Sequence, residues 1–414
     1  MFGASPIRYL SRSEEIFAKG KNFIGVTVRL RGPVDRSAMA RAFDTLLQAH
    51  PVLAGHLEPD GDGRHQIVVD DYLHPGIWVE NLDEPPAVER MPDQSESLVN
   101  LRLRLGDERS ELTLYTHHAV ADGHHQFTLL EKLFGWYTDA VTGAGIEPVT
   151  PEPIPLSLEA VLAQRGIGKQ QRSGLERLMT AMFGYDLPPS KRNLGRGPLP
   201  ARVPSATCRL SRQETRELTE LCAAQRISVN SVVAAAILLA EWRTRNTPHI
   251  PVPYVYPVDL RYFLTPPVDA TAATNPLGVA TYLAEIQPGT DLIDLARDIV
   301  ETFRADVTDG VIQQSLLHFS LQYEGNPPGL PDVVMTTDGG ETPPVRTPPG
   351  LEIEEYDGEV VFASSAGFDM YSITVYDGRL VIHYHTHADG PERYVAAIRE
   401  QLTAVAAQYS WATD

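Results

Sequence analysis

Residues Glu111 to Val141 constrain the fold of this chain more than any other stretch. Glu111 to His118 alternates in polarity and is rich in β-branched and aromatic residues, which reads as a strand. On a strand, Leu112, Leu114, Thr116 and His118 share one face, while Glu111, Thr113, Tyr115 and His117 share the other. After Asp122-Gly123 the period changes to that of a helix, with Phe127, Leu130 and Phe134 on one stripe. The order is therefore strand, short loop, helix, with His117, His118, His124 and His125 gathered around the loop.

A histidine at a strand end is rigidly held yet can face a cavity. Its imidazole, with an ordinary pKa of about 6.5, can take a proton from an alcohol at neutral pH. The spacing assigns that role of general base to His118. His117 faces the other way and reads as structural. Asp122 reads as the residue that fixes the loop or the imidazole, and Gly123 as the residue that permits tight backbone geometry before the helix. The backbone N–H near Gly123 is a candidate donor to an oxyanion.

A zinc site is the competing reading of the four histidines. It needs about three ligands converging at defined offsets, whereas adjacent histidines on a strand point to opposite faces and no HExxH is present. No metal is expected. Gly166-Ile167-Gly168-Lys169-Gln170 lacks the upstream glycine and the following Ser or Thr of a phosphate loop. GxSxG and strand-linked GxGxxG are also absent, so no covalent serine or cysteine mechanism and no bound cofactor is expected.

Elsewhere, Phe23 to Leu30 reads as a strand. Asp35 caps a helix from Arg36 to His50, with Met39, Ala42, Phe43, Leu46 and Leu47 on one face and Pro51 at its end. Pro148 to Pro155 is a connector, and the proline-rich, basic run Leu187 to Pro204 reads as a linker. Ser211 to Glu214 forms a capping box, and Ser228 can cap the next helix. The middle of that helix, Val232 to Ala240, is apolar all round and expected to be buried. Asp291 to Val307 reads as an amphipathic helix. Gly350 to Ala388 reads as antiparallel strands turning at Asp357-Gly358 and Asp377-Gly378, and Pro391 to Ala407 as a closing helix. Each half mixes strands and helices without strict alternation, which predicts an α+β protein of two lobes, residues 1–186 and 187–414.

The formal net charge of −19 repels phosphate backbones and anionic lipid, so nucleic acid is not expected as a partner. The two cysteines, Cys208 and Cys222, have no metal or disulfide spacing, which fits a reducing cytoplasm. No signal peptide is visible after Met1. The longest apolar run, Val232 to Ala240, is far shorter than the roughly 20 residues a membrane helix needs.

His-His-x-x-x-Asp-Gly, here His117 to Gly123, is the signature of the chloramphenicol acetyltransferase superfamily, which includes nonribosomal peptide condensation domains and plant alcohol acyltransferases. Over nearly its whole length the chain resembles one branch, the polyketide-associated acyltransferases typified by mycobacterial phthiocerol/phthiodiolone dimycocerosyl transferases. The likeness is carried by Ser11 to Glu15, Ala49 to Ala54, Glu111 to His125, Leu156 to Gln170, Asn246 to His249, Tyr254 to Arg261, Gln313 to Ser315 and Arg346 to Glu354. The resemblance implies two chloramphenicol-acetyltransferase-like lobes with a tunnel between them, His118 at its middle, and direct transfer without an acyl-enzyme. It implies a donor that is acyl-CoA or an acyl carrier domain of a polyketide synthase, and an acceptor that is a polyketide-derived alcohol. It also implies that Arg261 pairs with the motif aspartate across the lobes. An acidic carrier domain needs a local positive patch to dock, and Arg226 and Arg304, which the resemblance places on the second lobe, are the candidates for it. Ser372, where relatives have an aromatic-Gly motif, reads as a plain strand residue or an oxyanion support. Two other functions fit the same residues: a tailoring O-acetyltransferase using acetyl-CoA, and a non-catalytic module that binds carrier domains.

Overall fold

The computed structural model describes residues 5–69, 75–85, 90–187, 190–191, 199–318, 332–363 and 367–410. They form two compact units. The first comprises Met1–Arg165, Pro266–Pro276 and Pro343–Ser364; the second comprises Gly166–Thr265, Leu277–Thr342 and Ser365–Asp414.

The first unit is built on a five-stranded sheet in the order Glu352–Phe362, Asn22–Arg31, Arg109–His117, Val99–Leu105, Ile77–Asn81. Helices Arg36–Ala49 and Gly123–Thr142 pack together in this unit. A second sheet of three strands joins Ser5–Tyr9, His65–Val69 and His56–Pro59. Asp35 caps the first helix as expected, and Asp122, read in the sequence as fixing the loop or the imidazole, caps the second. Asp35 accepts from the N–H of Ser37 and Ala38, and Asp122 from that of His125.

The strand that leads to the motif is the third of five. Every residue from Leu112 to His117 is buried, on both faces of the strand. The expected split into an inner and an outer face is therefore replaced by two buried faces, and His117 is more deeply enclosed than His118.

Two sequence expectations are corrected here. Asp357-Gly358 does not turn. It lies inside the strand Glu352–Phe362, with Asp357 opposite Thr27 and Gly358 opposite Val26. The ladder against the ten-residue strand Asn22–Arg31, together with ion pairs from Arg29 to Glu355 and Asp357, outweighs the local turn preference of Asp-Gly. The second correction concerns domain boundaries. The units do not divide at residue 186. Residues 166–186 belong to the second unit, and two later segments return to the first: Pro343–Ser364, whose strand Glu352–Phe362 completes its sheet beside Asn22–Arg31, and Pro266–Pro276, bridged to Leu156 through Ala273. Asp377-Gly378 does turn, with φ of 51° and 67°, the pair of positive values that a two-residue hairpin favours.

The second unit carries a six-stranded sheet in the order Leu277–Ala284, Val252–Asp259, Val334–Glu341, Asp369–Tyr376, Arg379–Thr386, Ser205–Arg209. Helices Arg212–Gln225, Val229–Thr244, Leu292–Thr308 and Glu392–Ser410 supply the rest of its core. Ser211 and Glu214 form the expected capping box, and Ser228 caps the apolar helix, which is buried from Ser231 to Glu241. Much of the basic run Leu187 to Pro204, namely 188–189 and 192–198, lies outside the described residues. Lys191 within it is anchored: its Nζ lies 2.7 Å from Glu241, 2.9 Å from Asp369 and 2.8 Å from the Tyr384 hydroxyl. Among the described residues no single helix is long and apolar enough to cross a membrane.

Candidate active site

The motif strand ends at His117, and the chain then turns through Ala119 to Ala121 into the helix Gly123–Thr142. The two adjacent histidines are held in different ways. His117 is fully buried. Its Nδ1 accepts the N–H of Ala119 at 3.1 Å, so its Nε2 carries the proton and donates to Gln94 Oε1 at 2.9 Å. Burial holds its pKa down at about 3, with smaller contributions from His118 and His65. With both nitrogens engaged and the ring neutral, His117 is a structural residue.

His118 is half-buried. Its backbone N–H donates to Asn22 O at 2.8 Å, and its ring stacks on Phe17 with centroids 4.2 Å apart and planes 16° from parallel. Its Nδ1 lies 3.1 Å from Asn275 Oδ1, while Asn275 Nδ2 donates to the carbonyl of His118 itself at 2.6 Å. Burial lowers the pKa of the ring below that of a free imidazole. Asp122, the backbone carbonyls of His118 and Ala121, and Asn275 oppose that shift. The result is a ring that is neutral near pH 7, which is the protonation state a general base requires.

Asp122 is buried and caps the helix, with its Oδ1 accepting the His125 N–H at 2.9 Å and its own N–H donating to Thr274 O at 3.1 Å. It acts on His118 through its charge. Gly123 is the first residue of the helix and does not occupy the left-handed region. A methyl group placed there would meet nothing within 4 Å. Open space beside it, rather than backbone strain, distinguishes this position. His124 is exposed, and the buried His125 ring lies edge-on to His50 at 6.3 Å.

Phe17 and Asn275 are absent from the sequence-based site. Asn275 sits in the segment Pro266–Pro276, which is far from the motif in sequence and has neither period nor motif of its own. Its backbone is set by a bridge between Leu156 and Ala273 and by Thr274, whose N–H donates to Leu156 O at 2.9 Å. Thr274 Oγ1 donates to Glu14 at 2.7 Å, and the buried Glu14 carboxylate is gripped by both terminal nitrogens of Arg8 and by the Ser11 N–H. The run Ser11 to Glu15 thus supports the site from beneath.

The remaining predicted residues lie in the second unit. Arg261 is buried in the short turn Leu260–Tyr262, its guanidinium 3.2 Å from Asp259. Arg226 closes the helix Arg212–Gln225 in the left-handed region with φ of 55°, and Arg304 lies on the helix Leu292–Thr308; both are exposed. Ser372 Oγ lies 2.9 Å from His385 Nε2. The second unit also carries His385-Thr386-His387-Ala388-Asp389-Gly390 between a strand and a helix. There His387 Nδ1 accepts the Phe368 N–H at 2.9 Å, which leaves Nε2 to donate to Pro200 O at 3.0 Å. That ring has no nitrogen to spare for a substrate. Among the described residues no group of three metal-ligating side chains converges.

The two-unit α+β fold, with a half-buried histidine following the motif strand, is of the chloramphenicol-acetyltransferase-like kind, and the relatives of the chain make it an acyltransferase. Residues 199–385 match the family model described as phthiocerol/phthiodiolone dimycocerosyl transferase C-terminus. The chain is 51% identical over 421 residues to the phthiocerol/phthiodiolone dimycocerosyl transferase of Mycobacterium tuberculosis strain H37Rv, covering 99% of both proteins. It matches the structure of polyketide synthase associated protein 5 from Mycobacterium tuberculosis with a TM-score of 0.90 and 51% identity, over 98% of this chain and 100% of that one. It also matches the trichothecene 15-O-acetyltransferase of Fusarium sporotrichioides with a TM-score of 0.71 at 13% identity, over 97% and 95% of the two chains, a likeness of fold. The chain belongs to the phthiocerol/phthiodiolone dimycocerosyl transferase family.

Proposed function

We propose that this enzyme moves an acyl group from a CoA or carrier-protein thioester to a hydroxyl of a polyketide-derived alcohol, as in the esterification of a long-chain diol with methyl-branched acids. The observation that carries the chemistry is His118: neutral, with Nδ1 against Asn275 Oδ1 and therefore Nε2 as its basic nitrogen. The substrate class rests on the 51% identity to a transferase of that name across the full chain. In the proposed reaction His118 accepts the alcohol proton as the oxygen attacks the thioester carbonyl. The C–O bond forms, the tetrahedral oxyanion collapses with loss of the C–S bond, and the proton passes from His118 to the thiolate. No acyl-enzyme forms. The backbone N–H groups near Gly123, at the start of a helix whose His125 N–H is already taken by Asp122, are the proposed donors to the oxyanion.

The test is mass spectrometry of products from a matrix of donors and acceptors. Methyl-branched long-chain acyl-CoA with a long-chain diol is expected to give mono- and diesters. Preferential acetylation of a polyketide from acetyl-CoA would replace this reading with that of a tailoring O-acetyltransferase. Absence of any acyl product from either donor type would leave the carrier-binding module.

Docking of an acidic carrier is proposed at Arg226 and Arg304, which stand exposed on a chain of net charge −19. Arg226→Glu with Arg304→Glu is expected to slow transfer from a carrier-bound donor at least tenfold and leave transfer from a small acyl-CoA within twofold. Competition kinetics with the two donors checks this. Equal slowing with both removes the docking role.

A further inference from the structure

The amide of Asn275 meets His118 at two points, and only one arrangement of hydrogens satisfies both. The carbonyl of His118 can only accept, so the nitrogen 2.6 Å from it must be the amide Nδ2. The amide is planar, so Oδ1 is the atom turned toward the ring at 3.1 Å. Oδ1 can only accept as well, so the ring nitrogen facing it, Nδ1, must carry a hydrogen. Rotating the amide would set Oδ1 against the carbonyl oxygen and lose the Nδ2 bond. The backbone carbonyl of His118 thus reads the amide, and the amide reads the ring.

We infer that Asn275 is the positioning residue that selects the Nδ1–H tautomer of His118, so that the lone pair resides on Nε2. This rests on the reading of His118 as general base. Asn275 suits the task because it is rigid. It is 2% exposed, and the preceding residue is tied through Leu156, Asp122 and Glu14. The ring has little freedom to answer otherwise, since its backbone is fixed to Asn22 and one face lies on Phe17. The neighbour His117 shows what the same strand does without such a partner. There the N–H of Ala119 faces Nδ1, and the opposite tautomer results. Two consecutive histidines are thereby held in opposite tautomers, one by a backbone donor and one by a side-chain acceptor.

The decisive measurement is made on the wild-type protein. Nitrogen-15 long-range correlation spectra of histidine-labelled protein distinguish protonated from unprotonated ring nitrogens. The His118 signals, among those of 13 histidines, are the ones absent from His118→Ala. Wild-type protein is expected to show His118 protonated at Nδ1 near pH 7.5. Asn275→Ala is expected to show a mixture of tautomers, with kcat down about 10- to 100-fold and KM within threefold. Asn275→Asp keeps an acceptor at Nδ1, but it loses the Nδ2 donor to the His118 carbonyl and adds charge that favours the imidazolium. Its kcat is expected to recover in part, with the acidic limb of the pH profile moved to higher pH. A wild-type His118 protonated at Nε2, or an Asn275→Ala enzyme with unchanged kcat and pH profile, overturns the assignment. Failure of the base reading itself looks different: His118→Ala would then stay active whatever the tautomer.

Discussion

Replacing His118 with alanine is expected to slow acyl transfer by about 10² to 10⁴, the range spanned by positioned acid–base groups. The fold should survive. The ring is half-buried, the backbone bond from His118 to Asn22 does not involve the side chain, and the motif strand is held by ladders on both sides. His117→Ala should do the reverse. It removes the acceptor of the Ala119 N–H and the donor to Gln94 from a fully buried site, which costs about 1–3 kcal/mol for each group left unsatisfied. Activity per folded molecule should then stay within a few-fold of wild type. Transfer rates measured beside thermal melts for the two variants separate these effects. Near-full activity in His118→Ala, or a rate loss in His117→Ala as large as that in His118→Ala, would show that the base has been placed on the wrong residue.

What the sequence revealed follows from where its signals are local. The motif, its helix and the caps at Asp35, Ser211 and Ser228 are written in neighbouring residues, and the structure keeps them. Local periodicity could not say that both faces of the motif strand are buried; that depends on distant residues packed against them, such as Trp78 and Glu359 at Tyr115 and Gln94 at His117. Asp357-Gly358 illustrates the opposite failure. A turn signal was present, but a long partner strand overrode it. Asn275 is the most instructive omission. Its role comes from the return of Pro266–Pro276 to the first unit, and nothing near it in the chain announces that return. The resemblance pointed to Ser11 to Glu15 without a reason; the grip of Arg8 and Thr274 on Glu14 supplies one.

Acid is expected to destabilise this protein well before its carboxylates titrate. Burial holds three histidines far below an ordinary imidazole: His117 and His385 at about 3, and His50 at about 4, where Lys132 adds to the effect. Each is neutral in the folded chain and has a pKa near 6.5 in the unfolded one. A depressed histidine means that the unfolded state binds more protons at pH values between the two pKa values. Stability is therefore complete above about 6.5 and is lost as pH falls toward about 4 for His50 and about 3 for His117 and His385. One proton taken up on unfolding corresponds to about 1.4 kcal/mol per pH unit, so three approach about 4 kcal/mol per unit near pH 5. Local bonding agrees with the direction. A second proton on His117 would sit at Nδ1 against the Ala119 N–H, and one on His50 would face the Lys132 ammonium 3.2 Å away. His50 and His117 belong to the first unit and His385 to the second, so the first unit carries about twice the acid sensitivity. Denaturant melts between pH 7.5 and 5, read by hydrogen exchange on the strand Arg109–His117 and on the strand Arg379–Thr386, resolve the two. The Arg109–His117 strand should lose protection first, and His50→Gln should shallow its pH slope by about one proton. Equal protection of both strands at pH 5 and 7.5, or an unchanged slope in His50→Gln, would mean that these rings gain their protons without unfolding and that burial does not control them.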